Sequence, residues 1–131
     1  MNRADVKRSF DKNLKSFGRY FDVSKIRLRF HSVHPEKECR SDFRAVAWYD
    51  PNDLTINLLN RALEFDEDTI TGLLIHEIGH AVDGNLESEA REQRADDLAE
   101  LCTGKRIFYA GPHKLQTVKS GEWPRPKSLH R

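Results

Sequence analysis

Two histidines and a glutamate stand in the middle of the most apolar stretch of the chain, in the segment His76-Glu77-Ile78-Gly79-His80 (HEIGH). The apolar residues around it recur at three to four positions, which is the period of a helix. An N-cap at Asp66 and a terminating Gly84 predict where this helix begins and ends. Because buried imidazole and carboxylate groups need partners, this segment limits the fold more than any other feature of the sequence.

The spacing of the two histidines predicts a metal site. Residues four apart lie on one face of a helix, so His76 and His80 direct their imidazole nitrogens at one point. Zinc accepts such nitrogens at about 2.0–2.1 Å. Glu77 lies beside that point, where a carboxylate takes a proton from a zinc-bound water and passes it to a leaving amine. The sequence therefore predicts Zn²⁺ as cofactor and Glu77 as catalytic base. Two surface histidines flanking an acid are the alternative, which the apolar flanks disfavour.

A second helix, predicted from about residue 87 to residue 103, offers a third ligand. Catalytic zinc takes three protein ligands and leaves a fourth position for water. Glu92 shares a helix face with Ala95 and Ala99, whose small side chains allow the two helices to pack closely. Asp96, one turn after Glu92, is placed to accept a hydrogen bond from a ligand histidine and so to fix the ring.

Other acids compete with Glu92 for this role. Glu89 lies one turn earlier and is the rival ligand, and a solvated acidic face remains the structural alternative. Asp83 stands at the end of the first helix, where a cap or a supporting role is favoured. Gly79 needs its own explanation, because glycine in a helix costs up to about 1 kcal/mol relative to alanine. A close approach by the second helix or another backbone would explain it.

The other segments predict an α+β domain that covers residues 1–131. A basic amphipathic helix comes first, followed by strands with alternating apolar residues and then by the two helices. The ranges are 4–18 for the first helix and 26–31, 43–49 and 54–58 for the strands. The short turn after Asp50 predicts an antiparallel hairpin, and hence a three-stranded, mostly antiparallel sheet. From about residue 112 the prolines indicate an irregular segment.

Composition excludes several classes of protein. No apolar run approaches the roughly 20 residues that span a bilayer, and the N-terminal segment lacks the apolar core of a signal peptide. Cys39 and Cys102 form no CxxC pair, so we expect reduced thiols and a cytoplasmic location. The ends of the chain are basic, but the basic residues of the first helix lie opposite its apolar stripe, as on a solvated face. Nucleic-acid binding is therefore disfavoured, though not excluded.

The pattern of His76, Glu77 and His80 followed by Glu92 and Asp96 resembles the gluzincin clan of zinc metallopeptidases. The short gap between the motifs is similar to the minimal zincins of bacteria and phages, including the ImmA/IrrE-type peptidases. The segment HEIGHAVD is also similar to the lethal-factor type. The resemblance covers Ile75 to about Leu101 and supports the clan better than any subfamily.

The resemblance implies a cleft between the active-site helix and an edge strand, to which an extended substrate adds. Ala47, Trp48 and Tyr49 are then candidates for that strand, although core packing is the alternative for both aromatic residues. Such enzymes often carry a tyrosine or histidine that stabilises the oxyanion, and the chain has neither between His80 and Glu92. Tyr109 and His113 are the candidate replacements.

Two functions follow from these expectations. The first is a zinc metalloendopeptidase with a narrow set of protein or peptide substrates, favoured because a purely structural site has no use for an unliganded Glu77. The second is a catalytically weak or inactive zincin-fold protein that binds other proteins. The missing oxyanion residue favours this second function.

Overall fold

The computed structural model describes residues 1–32, 46–111 and 114–119, and its fold is α+β, as predicted. The helices are α1 (Arg3–Phe17), α2 (Glu67–Asp83) and α3 (Arg91–Thr103), and the strands are β1 (Arg27–His31), β2 (Ala47–Asp50), β3 (Thr55–Leu59), β4 (Lys105–Gly111) and β5 (Lys114–Lys119). A 3-10 helix, Asn60–Glu64, connects β3 to α2. None of the described helices has the length and apolar character that a membrane span needs.

The first three strands form a mixed sheet in the order β1-β3-β2. β2 and β3 are antiparallel, with Ala47 opposite Leu58, which confirms the predicted hairpin. β1 runs parallel to β3 on its other side, with Leu28 opposite Ile56. The expectation of a mostly antiparallel sheet therefore holds for only one of the two pairings. Parallel neighbours need a long connection, which the chain between β1 and β3 provides.

The helix that carries HEIGH lies at the centre of the fold. Its N-cap Asp66 accepts a hydrogen bond from the Thr69 backbone at 2.8 Å, and Gly84 ends it with a left-handed φ of 72°. Every residue from Thr69 to His80 is buried, because α1, α3, the three-stranded sheet and β5 all pack against α2. The predicted bounds of this helix are confirmed.

α1 closes one side of the core. Asn2 and Asp5 form a capping box at its start, in which each side chain accepts a hydrogen bond from the other residue's backbone. This satisfies two N–H groups that a helix start leaves free. Val6, Phe10 and Phe17 face inward and are almost fully buried, as the periodicity predicted.

α3 begins later than predicted, at Arg91 rather than at Glu87. Ser88 is the reason, because its hydroxyl accepts a hydrogen bond from the Ala90 N–H at 3.2 Å. Its carbonyl also accepts one from the Arg91 N–H at 3.1 Å. These bonds fold the chain before Arg91 into turns, which serine side chains favour over helix.

A β-hairpin that the sequence analysis did not predict follows α3. β4 and β5 pair antiparallel, with Ile107 opposite Thr117. Both residues are buried, and the hairpin packs β4 against α3 and β5 against α2. The expectation of an irregular segment from about residue 112 is therefore wrong for Lys114–Lys119, and residues 120–131 lie outside the described part of the chain.

Candidate metal centre

Three side chains from α2 and α3 meet at one point. The two Nε2 atoms of His76 and His80 lie 3.1 Å apart. Oε1 of Glu92 lies 2.8 Å from Nε2 of His76 and 3.1 Å from Nε2 of His80. Among the described residues, these three form a group whose ligand atoms all lie within 4.8 Å of one another. The structure thus brings together the three residues that the sequence predicted as ligands.

The chemistry of this group fits a divalent cation. Nδ1 of His76 lies 2.7 Å from a carboxylate oxygen of Asp96, which can only accept, so Nδ1 carries the proton. In the neutral ring Nε2 then presents a lone pair toward the Glu92 carboxylate. The lone pairs of His76 Nε2 and Glu92 Oε1, which are 2.8 Å apart, repel each other unless a cation lies between them. Tetrahedral zinc ligands would be about 3.3 Å apart, which is close to the observed separations.

Without a metal, the same contacts favour a proton on His76. Burial alone would lower the pKa of His76, but hydrogen bonds to Asp96 and Glu92 outweigh it and raise the pKa to about 10. The hydrogen bonds from His76 and His80 in turn hold the pKa of Glu92 well below its usual range. Without a metal, a proton on His76 therefore offsets the negative charges of Asp96 and Glu92.

The site opens to solvent on one side. The side chains of His76 and His80 are 6% and 9% exposed, whereas that of Glu92 is 55% exposed. A structural zinc ion is normally enclosed by four protein ligands, whereas a catalytic one keeps a position open. Three candidate ligands among the described residues, with one exposed side, therefore agree with the catalytic type.

Glu77 lies next to this group without belonging to it. Its carboxylate is buried and accepts a hydrogen bond from the backbone N–H of Tyr49 in β2. Burial raises the pKa of Glu77, and the neighbouring charges of His76 and His80 oppose that rise. A carboxylate that is buried but not coordinated has the properties of a general base.

Asp96 hydrogen-bonds to the His76 ring nitrogen that faces away from the converging group, and Tyr109 hydrogen-bonds to Asp96. Oδ1 of Asp96 accepts from His76 Nδ1 at 2.7 Å, and Oδ2 accepts from the Tyr109 hydroxyl at 2.8 Å. The first contact agrees with the predicted supporting role of Asp96. The second does not fit the predicted role of Tyr109 as an oxyanion stabiliser, because its hydroxyl proton is donated to Asp96. His113, the other candidate, lies outside the described residues.

The two histidines are supported differently. Nδ1 of His80 is buried and has no hydrogen-bond partner among the described residues, whereas Nδ1 of His76 is bound to Asp96. A ligand ring that is hydrogen-bonded behind its metal-facing nitrogen is held in one tautomer and one orientation. We therefore identify His76 as the better-fixed ring of the pair.

Close packing at Gly79 brings Glu92 to the histidines. A Cβ atom at Gly79 would lie 2.4 Å from the carbonyl oxygen of Ala95 in α3. The glycine is therefore needed because the backbone of the second helix lies against it, which confirms the expectation from the sequence. Ala95 and Ala99 are both fully buried in this contact region.

The acids that competed with Glu92 lie elsewhere. Glu89 is exposed in the turn before α3 and is not part of the converging group. Asp83, the last residue of α2, forms a two-pronged ion pair with Arg94 of α3, at 2.5–3.1 Å. This pair joins the two helices beyond the metal group, so Asp83 supports the helix packing.

Among the described strands, β2 lies at an edge of its sheet, and part of its backbone turns toward Glu77. The Leu59 N–H donates to the Val46 carbonyl at 2.8 Å, so antiparallel alternation leaves Ala47 and Tyr49 in pairs without hydrogen bonds. The N–H and C=O groups of these two residues therefore point away from β3. The Tyr49 N–H is a hydrogen-bond partner of Glu77, so this edge of β2 lies beside the candidate site.

Trp48 points to the other face of the sheet from its two neighbours. Its ring contacts His31, with centroids 5.3 Å apart. His31 in turn lies 2.7 Å from the side chain of Asn57. A role for Trp48 in substrate binding stays a prediction.

We expect Asp96→Asn to weaken zinc binding by about 10- to 100-fold, because outer partners of ligand histidines have effects of this size. The amide keeps the shape of the side chain but removes its charge. Competition with a chromophoric zinc chelator measures the affinity. The control is Asp97→Asn, because Asp97 is exposed and bonds to Gln93 instead. Equal losses in both variants would contradict the prediction.

Comparisons with known proteins identify one distant structural likeness. No family model matches the sequence, and no curated protein matches it. The chain is similar to the crystal structure of the metallopeptidase zymogen of Pyrococcus abyssi abylysin, with a TM-score of 0.49 and 15% sequence identity, over 74% of this chain and 87% of that chain. A likeness this distant does not assign a function, which has to be argued from the side chains.

Proposed function

We propose that this protein is a zinc-dependent metallopeptidase that hydrolyses peptide bonds in a narrow set of protein substrates. The observation that carries the proposal is the convergence of His76, His80 and Glu92 beside a buried Glu77 that is not part of the group. A group that only held a structural metal would have no use for that carboxylate. The open side at Glu92 agrees with a site that admits a substrate.

The proposed roles follow from the positions of the side chains. His76, His80 and Glu92 would hold the metal, with Asp96 fixing the ring of His76. Bound zinc polarises a carbonyl group and lowers the pKa of water. Glu77 takes a proton from the attacking water and transfers it to the departing amine nitrogen as the C–N bond breaks. The raised pKa of Glu77 suits both steps, since the group must accept and then release a proton.

The side of β2 that faces away from β3 is the proposed substrate-binding edge. Its outward-facing backbone groups can pair with an extended peptide in the way that sheets bind peptides. Because the Tyr49 N–H is hydrogen-bonded to Glu77, the N–H and C=O groups of Ala47, which also point away from β3, would pair with the substrate.

A protein-binding module that retains the metal is the alternative function. The position of Tyr109 favours it, because its hydroxyl is bonded to Asp96 and does not serve a developing oxyanion. Loss of one oxyanion donor lowers kcat by about 10²- to 10³-fold. Without such a donor, the protein would be a weak peptidase or an inactive binding protein.

Zinc content tests the proposed metal site. We expect about one zinc per chain in the purified protein by elemental mass spectrometry, and a sharp loss in Glu92→Ala and His80→Ala, because each removes one of the three candidate ligands found among the described residues. The matched control is Glu89→Ala, which removes the same charge from the same region and should retain zinc. Absence of zinc from the wild type, even after zinc is supplied, would overturn the proposal.

A peptide mixture distinguishes the two functions. The zinc-loaded protein is incubated with a proteome-derived peptide library, and new termini are identified by mass spectrometry. Cleavage at a few related sequences supports the peptidase. A zinc-loaded protein that cleaves no peptide would favour the binding module.

A further inference from the structure

We propose that Tyr109 is a positioning residue of the metal centre and that it acts through Asp96. Its hydroxyl holds the carboxylate in the one orientation in which Asp96 can fix the ring of His76. This inference rests on the proposed function, because it assumes that His76 binds a metal. It also gives a role to the β4–β5 hairpin, which supplies the tyrosine.

The contacts form a continuous path from the hairpin to the metal-facing nitrogen. The Tyr109 hydroxyl donates to Oδ2 of Asp96 at 2.8 Å, and the other oxygen of the same carboxylate accepts from His76 at 2.7 Å. Asp96 is 4% exposed and His76 is 5% exposed. The path passes from β4 through α3 to α2, so three elements meet at one carboxylate.

The physical effect of the tyrosine is to hold the carboxylate in place. A carboxylate that loses a hydrogen bond at one oxygen rotates more easily about its Cβ–Cγ bond, and rotation carries Oδ1 out of line with the imidazole. A second hydrogen bond to the other oxygen opposes that rotation. Because ligand geometry depends on groups beyond the ligands themselves, loss of this bond should weaken metal binding without unfolding the protein.

The hairpin is well placed to fix the tyrosine. Ile107, two residues earlier on β4, is 3% exposed, and Thr117 opposite it is 6% exposed. These buried residues fix the strand in the core between the helices. Tyr109 therefore extends from a well-packed strand, and its hydroxyl is a fixed point of support for Asp96.

Tyr109→Phe tests the inference, since it removes the hydroxyl and keeps the ring. We expect the dissociation constant for zinc to rise about 3- to 10-fold, less than for direct partners of a ligand. We also expect the visible absorption of the Co²⁺-substituted protein to shift, because the geometry at His76 changes. A purely structural hydrogen bond would lower the melting temperature of the metal-free protein but leave the Co²⁺ spectrum unchanged. The control is Tyr20→Phe, because Tyr20 is 56% exposed.

A double-mutant cycle tests whether Tyr109 acts through Asp96. In an Asp96→Asn background, Tyr109→Phe should have little further effect on zinc affinity, because the carboxylate that it orients is gone. An equal loss in both backgrounds would overturn the inference. So would a Tyr109→Phe protein with the affinity and Co²⁺ spectrum of the wild type, and in that case the metal centre itself would stand. A wild type that binds neither metal would overturn the proposed function as well.

Discussion

Gly79→Ala is expected to force α3 away from α2 and to weaken zinc binding at the same time. The new Cβ would lie 2.4 Å from the Ala95 carbonyl oxygen and 3.0 Å from the Ala95 Cα. Both are backbone atoms, so no change of rotamer relieves the clash. The helix that carries Glu92 must therefore shift relative to the helix that carries the two histidines.

Stability should fall even though alanine is the better helix former. The substitution gains up to about 1 kcal/mol in helix propensity, whereas overpacking of a closely packed contact costs about 1–3 kcal/mol or more. With contact to rigid backbone, we expect the upper end of that cost and a net loss of about 2 kcal/mol in the free energy of unfolding. Urea denaturation of the metal-free protein measures this loss, and a zinc titration measures the loss of affinity.

Gly18→Ala is the matched control for this prediction. Gly18 ends α1 with right-handed angles, and a Cβ there would lie 3.2 Å from its nearest neighbour. The change should alter stability far less and leave zinc affinity unchanged. If Gly79→Ala bound zinc as tightly as the wild type, the close contact at Ala95 would not be what positions Glu92.

The metal group could be predicted from the sequence because local geometry determines most of it. The spacing of four positions from His76 to His80 places the two side chains on one helix face wherever that helix packs. Glu92 required one further step, which the small residues Ala95 and Ala99 provided, because they indicate where two helices approach closely. Gly79 indicated the same contact from the opposite helix.

Contacts between distant parts of the chain were harder to predict. β1 and β3 pair in parallel although they are not consecutive strands, and no local sequence pattern predicts which distant strands pair. The hairpin had a weak local signal, since Gly111 and Pro112 separate two runs that favour strands. The hydrogen bond from Tyr109 to Asp96 had no local signal, because it joins a strand to a helix.

Glu77→Gln is expected to abolish peptide hydrolysis while the protein keeps its zinc and its fold. Loss of a general base costs about 10²- to 10⁴-fold in rate. Because Glu77 is not one of the three converging residues, zinc content should remain near that of the wild type. The amide oxygen of glutamine can still accept the Tyr49 N–H, and a neutral group avoids the cost of burying a charge. The melting temperature of the metal-free protein should therefore be equal or higher.

The measurements for this prediction are zinc content, melting temperature and cleavage of a peptide that the wild type has been found to cut. Glu67→Gln is the matched control on the same helix, because Glu67 is exposed in its first turn, and it should retain cleavage. Loss of zinc in Glu77→Gln would show that the residue is a ligand, and the division of roles between Glu77 and Glu92 would be wrong. Retained zinc with unchanged cleavage would mean that another group moves the proton, and the peptidase mechanism proposed for Glu77 would fail.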